Sequence, residues 1–253
     1  MESSNVASST YKWAFGAWGG DQGWPGAIAF WNQRLWFAGT PGQPNTIWAS
    51  RVGDFSDFSM SNPIEDDDPI TITLASGNQD AIRALFPIDQ LVILTDGAVW
   101  VSRLADGQAP TPNNFPVKIQ TFGGGSRLPL LGIGGSALYV QNKGKVIQDL
   151  VYQFANNRYD GKDLTSLGSH LLEGHSIVDW AYQQSPNSVL WVVRSDGALL
   201  SFTYHKEHEV WAWARHNTDG LVESICCIPG DGQDDVYFVV NRTINGAAVR
   251  YVE

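Results

Sequence analysis

Leu91-Val92-Ile93-Leu94-Thr95-Asp96-Gly97-Ala98-Val99-Trp100-Val101-Ser102-Arg103 is an apolar run, a turn dipeptide and a second apolar run. Short runs rich in β-branched and aromatic side chains read as strands, and Asp-Gly between two of them reads as a hairpin. A type I′ turn needs positive φ at both central residues, which Asp-Gly and Asn-Gly tolerate. Apolar residues at consecutive rather than alternate positions predict strands covered on both faces. The pattern returns around Lys143-Gly144, Asp196-Gly197 and Asn245-Gly246, with the four glycines 47, 53 and 49 residues apart. A period of about 50 belongs to four-stranded propeller blades.

Laid over one another, the copies run Ala81 to Arg103, Leu128 to Tyr152, Ser176 to Tyr204 and Val222 to Val252. An earlier copy, Gly26 to Arg51, carries the longer loop Pro41-Gly42-Gln43-Pro44-Asn45. Fourth strands are predicted at Ile70 to Ala75, Val117 to Phe122, Leu164 to Leu171 and Val210 to His216. The fifth copy has no residues left for one. Tyr11-Lys12-Trp13-Ala14-Phe15 resembles Val210-Trp211-Ala212-Trp213-Ala214, and each precedes an innermost strand. The expected fold is therefore all-β: a five-bladed β-propeller of four-stranded antiparallel blades, closed by N- and C-terminal strands in one blade, which removes exposed edges. Residues 1–9 are expected to be a flexible tail, and 10–253 a single propeller domain. A β-sandwich is the competing architecture.

Composition narrows the function. The chain has 253 residues, 11 Trp, 26 Gly and a net charge of −10. Such a balance argues against direct nucleic-acid binding. No apolar run is long enough for a membrane helix, and the start has neither a basic end nor an apolar core of a signal peptide. Cys226-Cys227 sit side by side in an apolar run, so they are expected as two buried, unbridged thiols.

Chemistry-bearing motifs are sparse. His205-Lys206-Glu207-His208, His170 and His175 lack the spacing of a metal site. Glu65-Asp66-Asp67-Asp68 lacks the alternation of a calcium loop. Gly123-Gly124-Gly125-Ser126 has no following Lys-Ser/Thr, and no Gly-x-Ser-x-Gly elbow occurs. No metal or cofactor is expected. The enzymatic alternative is a glycoside hydrolase using Asp179 and Glu223 on predicted innermost strands, with Asp89 and Arg83 nearby. A carbohydrate-binding propeller is the second alternative, since Trp beside polar loops suits sugar stacking.

Several stretches resemble the tail tubular, nozzle or "stabilisation" hub proteins of short-tailed bacteriophages and prophages. They are Gly23-Trp24-Pro25, Gln33-Arg34-Leu35-Trp36-Phe37-Ala38-Gly39-Thr40, and Thr46-Ile47-Trp48-Ala49-Ser50-Arg51 with Asp54-Phe55. Asp163-Leu164-Thr165 with His170, Arg194-Ser195-Asp196-Gly197, Thr203-Tyr204, and Trp213 with His216-Asn217-Thr218 continue the likeness. Asn241 to Gly246 and Arg250 to Glu253 complete it. The resemblance implies a non-catalytic structural protein of the virion tail, assembled in the bacterial cytoplasm. Its partners would be other tail and portal proteins, and itself in a ring. Members of that group usually extend beyond the equivalents of both ends of this chain.

Proteins that act by contact carry their working surface on loops. The candidates are 53–69, with Asp57, Phe58, Met60, Glu65, Asp66, Asp67 and Asp68, and 105–116, with Asp106, Asn113 and Asn114. Three prolines keep the second loop out of a sheet.

Overall fold

The computed structural model describes residues 16–75, 80–105, 107–153 and 158–253. They form nineteen strands and almost no helix, and the fold is all-β and propeller-like. Sheet 1 holds β1 (Ala27–Trp31), β2 (Arg34–Ala38), β3 (Thr46–Ala49) and β4 (Ile70–Thr73). Sheet 2 holds β5 (Ile82–Pro87), β6 (Leu91–Thr95), β7 (Ala98–Ser102) and β8 (Val117–Phe122). Sheet 3 holds β9 (Leu131–Ile133), β10 (Ser136–Val140), β11 (Ile147–Gln153) and β12 (Arg158–Asp163). Sheet 4 holds β13 (Ile177–Gln183), β14 (Val189–Arg194), β15 (Leu199–His205) and β16 (Val210–His216). Sheet 5 holds β17 (Leu221–Pro229), β18 (Asp234–Ile244) and β19 (Ala247–Val252), three strands among the described residues. All pairings are antiparallel between neighbours in sequence.

The consecutive apolar residues are explained by where the core lies. Leu91 and Ile93 point from β6 into a cluster shared with Trp36 and Ile47 of sheet 1. Val92 and Leu94, on its other face, join Tyr139 and Leu150 of sheet 3. Leu190 and Val192 of β14 likewise face Leu138 and Val140 of sheet 3, while Val193 faces Val222 and Ile225 of sheet 5. Each junction between successive sheets thus has its own apolar layer, and each fully buried Leu or Ile contributes roughly 1.5–3 kcal/mol.

Backbone hydrogen bonds stitch the same junctions. The turn between the second and third strands of one sheet accepts an N–H at the start of the first strand of the next. Ile82 N donates to Pro44 O at 2.8 Å, Ile177 N to Gly144 O at 2.8 Å and Val222 N to Gly197 O at 2.9 Å. At the junction of sheets 2 and 3 the equivalent link is Asn142 Nδ2 to Asp96 O, 3.0 Å. The two end sheets keep apolar faces in the open: Ile28 and Phe30 on sheet 1, Cys226, Ile228 and Tyr237 on sheet 5.

Three details differ from the sequence expectation. The fourth strand of sheet 3 is Arg158–Asp163, while Ser166–Leu172 is a 3-10 segment. Asp163 Oδ1 accepts from Thr165 N at 2.7 Å, turning the chain out of the sheet. Of the four turn dipeptides, Asn245-Gly246 alone has positive φ at both residues, 50° and 80°; Gln33, following Asn32, supplies a second such pair at 57° and 47°. Cys226 is exposed and Cys227 half-buried, because β17 is nearly bare on the face away from sheet 4. The expected closing strand from Thr10 and the 1–9 tail are a separate matter: they lie outside the described residues, apart from Gly16.

Candidate functional site

The two loops chosen from sequence leave different sheets, yet the structure brings them together. The link is Arg34, which follows the tight Asn32-Gln33 turn and is 0% exposed. Its Nη1 donates to Ser50 O at 2.8 Å and Asp68 O at 2.6 Å. Its Nη2 donates to Asp66 O at 3.0 Å and Pro110 O at 3.2 Å. A planar guanidinium with donors on both outer nitrogens can span four carbonyls in this way, which an ammonium cannot. Burial pulls the Arg34 pKa down, opposed by the charges of Asp67 and Asp68.

Inside the first loop, Asp68 is the second anchor. Its carboxylate accepts from Glu65 N at 2.9 Å, from Ser61 N at 3.0 Å and from Ser61 Oγ at 2.8 Å, and pairs with Arg51. The Glu65 N–H leads the causes that lower its pKa to about 2. Sequence alone placed Asp68 among outward contact residues; its side chain is instead fully enclosed and holds the loop from within. Asp57 is half-buried and accepts from Ser59 N at 2.9 Å, and Phe58 packs edge-on against Trp18 at 5.2 Å. Met60, Glu65, Asp66 and Asp67 face outward.

The second loop is held by Phe115, buried 4.9 Å from Trp36, and by mutual backbone bonds between Thr111 and Asn114 of 3.2 and 3.1 Å. Asp66, Asp67, Asn113 and Asn114 line one open depression of about 610 Å³ across the two loops. Asp106 lies outside the described residues.

The carboxylates of the glycosidase alternative are both engaged. Asp179 accepts from Trp180 N and, across to sheet 5, from Ile225 N, each at 2.9 Å. Glu223 accepts from Arg250 Nε at 2.6 Å and Asn241 Nδ2 at 2.9 Å. The Arg250 bond lowers the Glu223 pKa, the opposite direction from a general acid at neutral pH. Arg83 is paired with Asp96, at 2.5 Å through Nε. Asp89 borders a different hollow, beside Trp31 and Gln90.

One polar cluster gave no sequence signal. Tyr204 OH donates to buried Asp149 at 2.6 Å, and Lys206 Nζ lies 3.3 Å from the same oxygen, tying sheet 4 to sheet 3. Burial, then the Asp149 bond, raises the Tyr204 pKa. The three are 55 and 57 residues apart in sequence, so no local pattern marks them. Among the described residues, no group of three or more His, Cys, Asp or Glu could hold a metal ion, and no helix is long and apolar enough to cross a membrane.

No family model matches the chain, and no curated protein matches it. Among solved structures it is similar to an auxiliary nutrient binding protein from Bacteroides thetaiotaomicron, with a TM-score of 0.43 and 11% identity. That likeness covers 90% of this chain and 57% of the other, so the chain spans little more than half of that structure. A luciferin-regenerating enzyme is similar at a TM-score of 0.34 and 10% identity, over 83% of this chain and 80% of its own.

Proposed function

We propose that this chain is a non-catalytic, nozzle-like assembly module of a phage or prophage tail hub, acting by protein–protein contact in the virion tail. In this reading the five sheets are the blades of a ring. A strand from Thr10 to Gly16 completes the fifth blade beside Ala247–Val252. The open apolar faces of sheets 1 and 5 support it, since a closed ring would cover both.

The observation that carries the functional part is the Arg34 clamp. Loops left as idle surface need no shared anchor, whereas these two are fixed to one buried cation. Ordering them beforehand lowers the entropy lost on docking. The partner surface is Asp66, Asp67, Asn113 and Asn114, with Met60 exposed on the first loop. The motif resemblance supplies the class of partner: other tail and portal proteins, and further copies of the chain.

Light scattering tests this on the chain alone and mixed with the tail and portal proteins of its own phage or prophage. Complex formation that weakens at least tenfold in the D66K/D67K double variant is the expected result. Unchanged binding by that variant would remove the loop from the interface. Robust glycoside turnover abolished by D179A or E223A would overturn the structural role itself.

A further inference from the structure

A second hollow, of about 640 Å³, opens where β1 and β5 begin, on residues the proposed docking surface does not use. That volume falls in the range of small-molecule sites, roughly 300–1,000 Å³. Its lining is mostly small: Gly26, Gly39, Pro41 and Ala81 among others. Three larger side chains stand out against it: Trp24, Arg83 and Arg127.

Trp24 is 72% exposed, which leaves its flat apolar ring free to stack on a ligand. The backbone leading into it is tied down. Gly19 N donates to Gly23 O at 2.8 Å, closing a turn directly before it, and Gly42 N donates to Gln22 O at 3.0 Å. Gly23 has φ +70°, and a Cβ there would meet Pro41 at 2.5 Å, so no other residue lets this segment lie so close. The backbone that carries the indole is therefore fixed at the rim of the hollow.

The two arginines differ. Arg83 is bound to Asp96 through both Nε and Nη2, at 2.5 and 2.6 Å, so its charge is largely met. Arg127 is exposed and has no partner among the described residues. One unmatched guanidinium lining the same hollow as a flat apolar ring suits a ligand with one carboxylate per ring and an apolar ring face. A polyphosphate would need more positive charge than one arginine, in a chain of net charge −10. A peptide side chain would need a deep apolar hole, which Gly, Pro and Ala do not build.

We infer that this hollow binds a carboxylate-bearing saccharide, a uronic-acid-type ring stacking on Trp24 with its carboxylate on Arg127. The site is independent of the tail-hub reading and stands or falls separately.

Isothermal titration with trigalacturonic acid, its fully methyl-esterified form and a Glu/Asp-rich peptide tests it. The acid trisaccharide binds, and the ester binds at least tenfold more weakly. R127Q and W24A each weaken the acid at least tenfold, with melting temperatures near wild type because both side chains are exposed. R127K and W24F recover part of the affinity, which separates recognition from a folding defect. No binding of the acid at millimolar concentration, equal binding of acid and ester, or indifference to all four variants overturns the inference. Tighter binding of the peptide than of the trisaccharide overturns the ligand class.

Discussion

Replacing Arg34 by Met keeps much of the volume and removes the charge and every donor. In the wild type the side chain is fully buried and meets the carbonyls of Ser50, Asp66, Asp68 and Pro110. Hydrogen bonds to a charged group contribute roughly 1.5–3 kcal/mol each, but desolvating the guanidinium offsets much of their sum. What the variant exposes is the other side of the balance: four carbonyls left facing an apolar chain, of which those nearest the surface recover water. Each buried carbonyl left without a donor costs roughly 1–3 kcal/mol, so two that stay dry cost about 2–6 kcal/mol. In a domain of this size that corresponds to a fall in Tm of about 4–24 °C. Calorimetric or circular-dichroism melting measures it. R34K, with three donors on a single nitrogen, should recover less than half of the loss. Limited proteolysis localises the effect, with new cleavage expected within 53–69 and 105–116 before the sheets open. An R34M protein melting within about 2 °C of wild type, with both loops still protected, would refute the clamp.

Acid sensitivity follows from Asp68 and Asp196, whose pKa values are each lowered to about 2, the first by Glu65 N–H and the second by the Arg194 side chain. A folded pKa below the unfolded one gives stability that is fully present above about pH 4 and is lost as the pH falls towards 2. Melting against pH should show that loss, and D68N should flatten it. At pH 8 a thiol reagent should modify exposed Cys226 quickly and leave Cys227 untouched until unfolding, because burial pushes the Cys227 thiol up to about 11; two equal rates would contradict this. Deleting residues 1–16 should lower the melting temperature by many degrees if they complete the fifth blade, and a truncated chain that melts like the intact one ends the closure reading.

The hairpins were legible in the sequence because their signals are local: an apolar run, a turn pair and another run lie within fifteen residues or so. Even the double-faced burial of β6 could be read from Leu91-Val92-Ile93-Leu94. The outer strand of sheet 3 could not. Arg158–Asp163 is polar apart from Tyr159, whose backbone N–H is met by Gln120 Oε1 at 3.0 Å, from β8 of the neighbouring sheet. Arg34 was invisible for the same reason. An arginine next to a tight turn looks solvated, and its acceptors stand 16, 32, 34 and 76 residues away. Loop length and proline content marked 53–69 and 105–116 separately, but nothing local says that they share a buried cation.

That non-local contact also gives one stretch of the resemblance a physical meaning. Gln33 takes the left-handed conformation that brings the chain back into β2, and Arg34 spans both loops. Ser50 lends its carbonyl to Arg34 and its hydroxyl to Leu35 N, 3.0 Å away. Arg51 pairs with Asp68, and Phe55 lies edge-on to Phe30 at 5.2 Å. Gln33, Arg34, Ser50, Arg51 and Phe55, which carry part of the likeness to tail hub proteins, thus also build and fix the 53–69 loop. Packing of the sheets alone would be satisfied by any apolar residues of suitable volume in β2 and β3. A buried arginine, a serine and a second arginine facing one loop ask for more than packing. Their requirement is a loop of fixed shape, which is what the proposed docking surface would need.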